Sequence, residues 1–130
     1  MKATATRASG YTHRIEIRRH ELSADEPQAQ GGNDQAPTPQ ELLGASLAAC
    51  TAITIEMYAG RKGWDLGEVV VECEYEQADP GSPTDFTITL RLSGELSDEQ
   101  LERIQRIAAK CPVHRTLEGE ARFEQRVERL

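Results

Sequence analysis

Positive charge is in short supply: 15 Lys and Arg stand against 22 Asp and Glu, a formal net charge of −7. Nucleic-acid recognition and docking on anionic lipid both draw on clustered cations, so neither partner is expected. The opening residues Met1 to Arg7 hold no apolar run, which speaks against a secretory leader. The most apolar stretch, Leu42 to Ala59, is broken by Gly44, Ser46, Thr51, Thr54 and Glu56, and reads as too polar for a membrane span. Cysteine is sparse: Cys50, Cys73 and Cys111 are odd in number and far apart, which excludes a disulfide framework. Repeats and low-complexity tracts are absent. A chain of 130 residues then reads as one small, acidic, cytoplasmic domain over 1–130.

What is present is a sequence of short alternating segments and two strong helix starts. Lys2 to Ala8 and Tyr11 to His20, with Gly10 between them, predict an N-terminal hairpin. Ser23 to Pro39 is rich in Pro, Gly, Asn and Asp and predicts a loop of about 15 residues, long enough to serve function or to span between subunits. Thr38-Pro39 with Glu41 three residues after Thr38 is a capping box with proline at the first helical position. The helix it opens should run to about Ala59 and stop at Gly60 or Gly63. Its residues are apolar on nearly every side. Such a helix must be covered all round, more than one short chain supplies, so a homodimer is expected.

Val69, Val71, Cys73 and Tyr75 alternate with glutamates, and Phe86, Ile88, Leu90 and Leu92 alternate with polar residues, predicting a hairpin across the Asp79–Pro83 turn. Ser97 and Gln100 form a second capping box ahead of an amphipathic helix whose inward residues are Leu101, Ile104, Ile107 and Ala108. A short helical turn after Cys111-Pro112 ends near Gly119, and the tail Glu120 to Arg129 alternates as a closing strand. The order ββ–α–ββ–αα–β is α+β, with antiparallel sheets packed on a long central helix.

The three cysteines differ in setting. Cys73 lies on the apolar face of a strand opposite a row of glutamates and reads as core. Cys111 precedes a helix-starting proline, so its sulfur is placed as N-cap toward free N–H groups, a setting that favours thiolate; His114 and Arg115 on the same turn could add positive charge. Cys50 sits in the middle of the apolar helix. Glu41, nine residues earlier, falls on the opposite face at 100° per residue, so a role beside Cys50 needs a partner subunit or an inserted side chain.

Pro39-Gln40-Glu41-Leu42-Leu43, Ala48-Ala49-Cys50-Thr51, Met57-Tyr58-Ala59, Arg61-Lys62-Gly63-Trp64 and Lys110-Cys111-Pro112-Val113-His114-Arg115-Thr116-Leu117 together resemble the OsmC/Ohr family of osmotically inducible and organic hydroperoxide resistance proteins, in its OsmC-like branch. The resemblance spans essentially the whole chain. It implies an intertwined homodimer and a thiol peroxidase without cofactor or metal. Cys50 would become a sulfenic acid, Cys111 would resolve it as a disulfide, and a dithiol or lipoyl-type partner would reduce it. Glu41 matches the glutamate that holds an arginine beside the thiolate. That arginine has no counterpart in 28–40, where Gln30 is near the expected place. Arg18 or Arg19 on the preceding strand are the available thiolate-stabilising cations.

Other chemistry is open to the same residues. Cys50 with His114 or His20 as base would make a hydrolase, though nothing fixes a third triad member. Cys111 and His114 have a C-x-x-H spacing, but structural zinc usually shows two such pairs. A non-catalytic dimer that senses redox state or binds a small ligand is the remaining reading. Trp64, after the helix end, is read as a packing residue.

Overall fold

Strand β1 (Thr4–Ser9) reverses into β2 (Thr12–Ile17) at Gly10, whose φ of 54° suits a glycine, and the two pair antiparallel in the computed structural model, which describes residues 1–130. A third strand, β3 (His20–Ala24), follows a two-residue turn at Arg18-Arg19 and pairs with β2 from Ile17↔His20 to His13↔Ala24. The residues alone predict one strand from Tyr11 to His20 and a loop from Ser23, whereas the structure turns at Arg18-Arg19 and adds β3. β3 has little alternation to read, since only its last residue, Ala24, is buried. Its order comes from pairing with β2.

The segment after β3 is organised by one buried carboxylate. Asp25 is 2% exposed. Its oxygens accept from the Thr12 hydroxyl at 2.8 Å, the Glu26 N–H at 2.8 Å and the Gln35 N–H at 3.1 Å, while its own N–H donates to the Pro37 carbonyl at 3.0 Å. Burial by itself would raise this carboxyl, but the donors outweigh it and hold it below the ordinary carboxylate range. A single short helical turn, Gln28–Gln30, closes within that frame.

Helix α1 (Pro39–Lys62) starts as its capping box requires: the Glu41 N–H donates to Thr38 Oγ1 at 3.1 Å, and the Thr38 N–H donates to Glu41 Oε1 at 2.9 Å. It ends three residues later than read. Gly63 takes φ 71°, its N–H reaches the Gly60 carbonyl, and the Trp64 N–H reaches the Ala59 carbonyl at 2.9 Å. That is a Schellman stop. With 24 residues and a mean hydropathy of 1.5 in its most apolar window, α1 is more apolar than its Gly, Ser and Thr suggested.

The chain forms two compact units, 1–45 and 46–130. In the second, β4 (Val69–Tyr75) and β5 (Phe86–Leu92) pair antiparallel, with Cys73 opposite Ile88 and Tyr75 stacked on Phe86 at 4.6 Å. Helix α2 (Asp98–Ala108) opens on the Ser97–Gln100 capping box. It buries Ile104, Ile107 and Ala108 against Ile55, Ala59 and Leu66, with Trp64 packed on that cluster. Leu101, read as an inward residue, is 44% exposed, because the buried stripe of α2 lies one turn further on. Helix α3 (Pro112–Glu118) follows. The tail 120–130 has no secondary structure and is exposed throughout, against the expected closing strand. Alternation makes a strand only where an edge accepts its hydrogen bonds, and the tail pairs with none here.

Replacing Asp25 by Ala should remove the hub of the first unit and speed hydrogen exchange of the Glu26 and Gln35 amides by about tenfold. Because the native carboxyl is depressed, its contribution is present above the ordinary carboxylate range and is lost as pH falls through the native value, below about 4. A Thr12, Glu26 and Gln35 region insensitive to Asp25→Ala or to acid would refute this account.

Candidate functional site

Cys111 is the N-cap of α3, as its Pro112 predicts. Its side chain is fully buried, and its sulfur accepts the His114 N–H at 3.3 Å. Proline at N1 has no N–H to offer, so the first donors of the turn are Val113 and His114. The Val113 N–H acts on the other sulfur, Cys50, which comes from the middle of α1. Two consecutive amides of one helical turn therefore face two sulfurs from different elements.

Cys50 and Cys111 are both free thiols and hydrogen-bond neighbours. Burial is the largest influence on Cys50 and pushes its thiol up from the ordinary value. The Cys111 sulfur adds to that rise through its hydrogen bond and charge, while the Val113 N–H and the Thr54 hydroxyl pull the other way. None of these groups is a cation. Thr54 is i+4 from Cys50, so helical spacing alone could have singled it out. The partnership of Cys50 with Val113 joins residues 63 apart in sequence and had no such signal.

The other expected site residues are placed as follows. Glu41 is exposed and engaged with Thr38 as the third residue of the capping box, whose backbone N–H and then hydroxyl hold its carboxyl below the ordinary range. Arg18 and Arg19 form the exposed turn between β2 and β3, where Arg18 takes a positive φ of 55°. Cys73 is half-buried on β4, and its thiol is raised by burial. His20 is exposed on β3. No three His, Cys, Asp or Glu side chains gather as a metal site.

A partly open cavity of about 240 Å³ is walled by Leu47 of α1, Phe86 and Ile88 of β5 and Leu117 of α3, with Thr84 at its side. Leu47 is three residues before Cys50. The cavity's polar edge is His114 and Glu118, whose Nε2 and Oε2 are 3.2 Å apart. His114 is a candidate from the sequence and Glu118 is not, and the i,i+4 spacing on one helix face is the signal that links them.

Along α1 the buried stripe is Leu47, Thr51, Ile55 and Ala59, at four-residue spacing. Thr51 is fully buried and its hydroxyl has no hydrogen-bond partner. Ile53 and Met57 on other faces are 54% and 61% exposed.

Two outcomes follow from this geometry. Thr51→Val should stabilise the protein by roughly 1 kcal/mol, read as a raised Tm, because an orphaned buried hydroxyl is replaced by a methyl of similar shape; a lowered Tm would mean that the hydroxyl is satisfied. Cys111→Ala should move the pH profile of Cys50 alkylation to lower pH, since the neighbouring sulfur is one of the groups raising it; a shift to higher pH would contradict the coupling.

The fold has known counterparts. An OsmC-like protein from Mycoplasma pneumoniae superposes with a TM-score of 0.75 at 19% identity, over 91% of this chain and 86% of that one. A Legionella pneumophila structure described as an organic hydroperoxide resistance protein OsmC, predicted redox protein and regulator of sulfide bond formation matches at 0.69 and 24%, over 91% and 88%. An organic hydroperoxide resistance protein from Elizabethkingia anophelis with bound thiocyanate matches at 0.67 and 22%, over 90% and 86%. No curated protein matches by sequence. The profile of the OsmC-like protein family matches residues 31–126, a span that holds both Cys50 and Cys111, and the chain belongs to that family.

Proposed function

We propose that this protein is a thiol-dependent peroxidase that reduces organic hydroperoxides through Cys50 and Cys111. The observation that carries the reading is the pairing of these two free sulfurs, one half-buried and one fully buried. In the first step the Cys50 thiolate attacks the terminal peroxide oxygen. The O–O bond breaks, Cys50 becomes a sulfenic acid, and the alkoxide takes a proton to leave as an alcohol. In the second step the Cys111 sulfur attacks the Cys50 sulfur and releases water, leaving a Cys50–Cys111 disulfide. A dithiol or lipoyl-type reductant returns two electrons and two protons to restore both thiols.

The working form in this proposal is a cytoplasmic homodimer. Ile53 and Met57 on α1, and Phe123 and Val127 in the unpaired tail, are apolar surface that a second copy would cover. Arg18 or Arg19 of the second copy would then be the cation that lowers Cys50. Glu41 is the acid proposed to orient that arginine with the carboxylate oxygen not used in the capping box.

The raised Cys50 thiol favours one other reading, a redox-sensing or ligand-binding dimer without turnover. One experiment separates the two. Reduced protein given one equivalent of tert-butyl hydroperoxide should lose two hydrogens per subunit within seconds to minutes by non-reducing intact mass. The loss should map to a Cys50–Cys111 peptide and vanish in Cys50→Ser. Thiols unchanged after prolonged exposure would overturn the peroxidase and leave the binding reading.

A further inference from the structure

We propose that the reductant enters the oxidised site at Cys50: its thiolate attacks the Cys50 sulfur, and Cys111 is the thiolate that leaves. The disulfide itself rests on the peroxidase reading; which of its sulfurs is attacked rests on how the two cysteines are held.

A disulfide offers two sulfurs, and the one attacked is set by access and by how well the other sulfur leaves. Access differs sharply between the two. Cys111 is 0% exposed, and its backbone is tied back by its own N–H, which donates to the Ala108 carbonyl at 3.3 Å. Cys50 on α1 is half-buried. A thiol carried by another molecule therefore meets the Cys50 sulfur first, and meets Cys111 only after the chain around it has moved.

The leaving group agrees with that order. Attack at Cys50 sends the electron pair of the S–S bond to Cys111, away from water. A donor stands ready there, because the His114 N–H lies 3.3 Å from the Cys111 sulfur in the reduced protein. Attack at Cys111 would instead expel Cys50. Burial and the neighbouring sulfur disfavour that thiolate by more than the Val113 N–H and the Thr54 hydroxyl recover. The first exchange thus joins Cys50 to the reductant and frees Cys111. In the second, the reductant's other thiol attacks its own bonded sulfur, closes as a cyclic disulfide and releases Cys50. Both freed sulfurs take up the two protons that the dithiol gives up.

The test makes the Cys50–Cys111 disulfide with diamide, which removes the two thiol hydrogens without any peroxide. Excess cysteamine, a monothiol that cannot complete the second exchange, is then added and quenched with acid after seconds. Peptic mapping by mass should find the cysteamine adduct on the Cys50 peptide at about tenfold or more over the Cys111 peptide. Cystamine modification of the single variants gives the same comparison where no disulfide can re-close. Cys50 in Cys111→Ser should react about tenfold faster than Cys111 in Cys50→Ser. Adducts that favour Cys111 or divide evenly, or equal rates in the two variants, would overturn the proposal. A Cys50 adduct after diamide, with no disulfide formed by hydroperoxide, would sink the peroxidase reading and keep the order of exchange. A disulfide formed by hydroperoxide that cysteamine opens at Cys111 would do the reverse.

Discussion

The site is built where the N-terminal turn of α3 meets the middle of α1. Pro112 starts the turn and removes one backbone donor, leaving the N–H groups of Val113 and His114 as the first that face outward. One acts on Cys50 and the other on Cys111. A shift of either sulfur would leave a part-buried amide unpaired. The position of α3 therefore sets how the two sulfurs meet, and the same helix supplies His114 and Glu118 to the polar edge of the cavity walled by Leu117.

Within the chain this arrangement brings the sulfurs together without making Cys50 acidic. Burial disfavours the thiolate, and a second sulfur nearby disfavours it further. One amide donor, Val113, and the Thr54 hydroxyl offset part of that, but a full charge offsets far more than a dipole. No cation is among the groups that act on Cys50. Ile53 and Met57 of α1 and Phe123 and Val127 of the tail remain exposed apolar side chains.

Much of the local structure was legible. Capping boxes at Thr38 and Ser97, the Cys111-Pro112 start and the β4–β5 hairpin depend on neighbours within a few residues, and each formed as its residues required. The failures share one cause. β3 carries almost no apolar pattern and exists because β2 offers it an edge, whereas the tail carries a clear pattern and has no edge to join. Strand formation is decided by a partner that the strand's own residues do not contain. Leu101 went the same way: helical periodicity gives a stripe, but which residue at its margin is covered depends on what lies opposite.

For the site, the sequence by itself determined the two candidate cysteines, the helix on which Cys50 rides, the cap that Cys111 makes and the local engagement of Glu41 with Thr38. These follow from short-range hydrogen bonding and helix geometry. Only the tertiary structure decided that Cys50 and Cys111 are hydrogen-bond neighbours, that Val113 serves the first and His114 the second, and that Glu118 lines a cavity with apolar walls. Those facts join residues from α1, β5 and α3, and they arise from packing around Leu47, Ile55 and Ile104. No spacing along the chain encodes them.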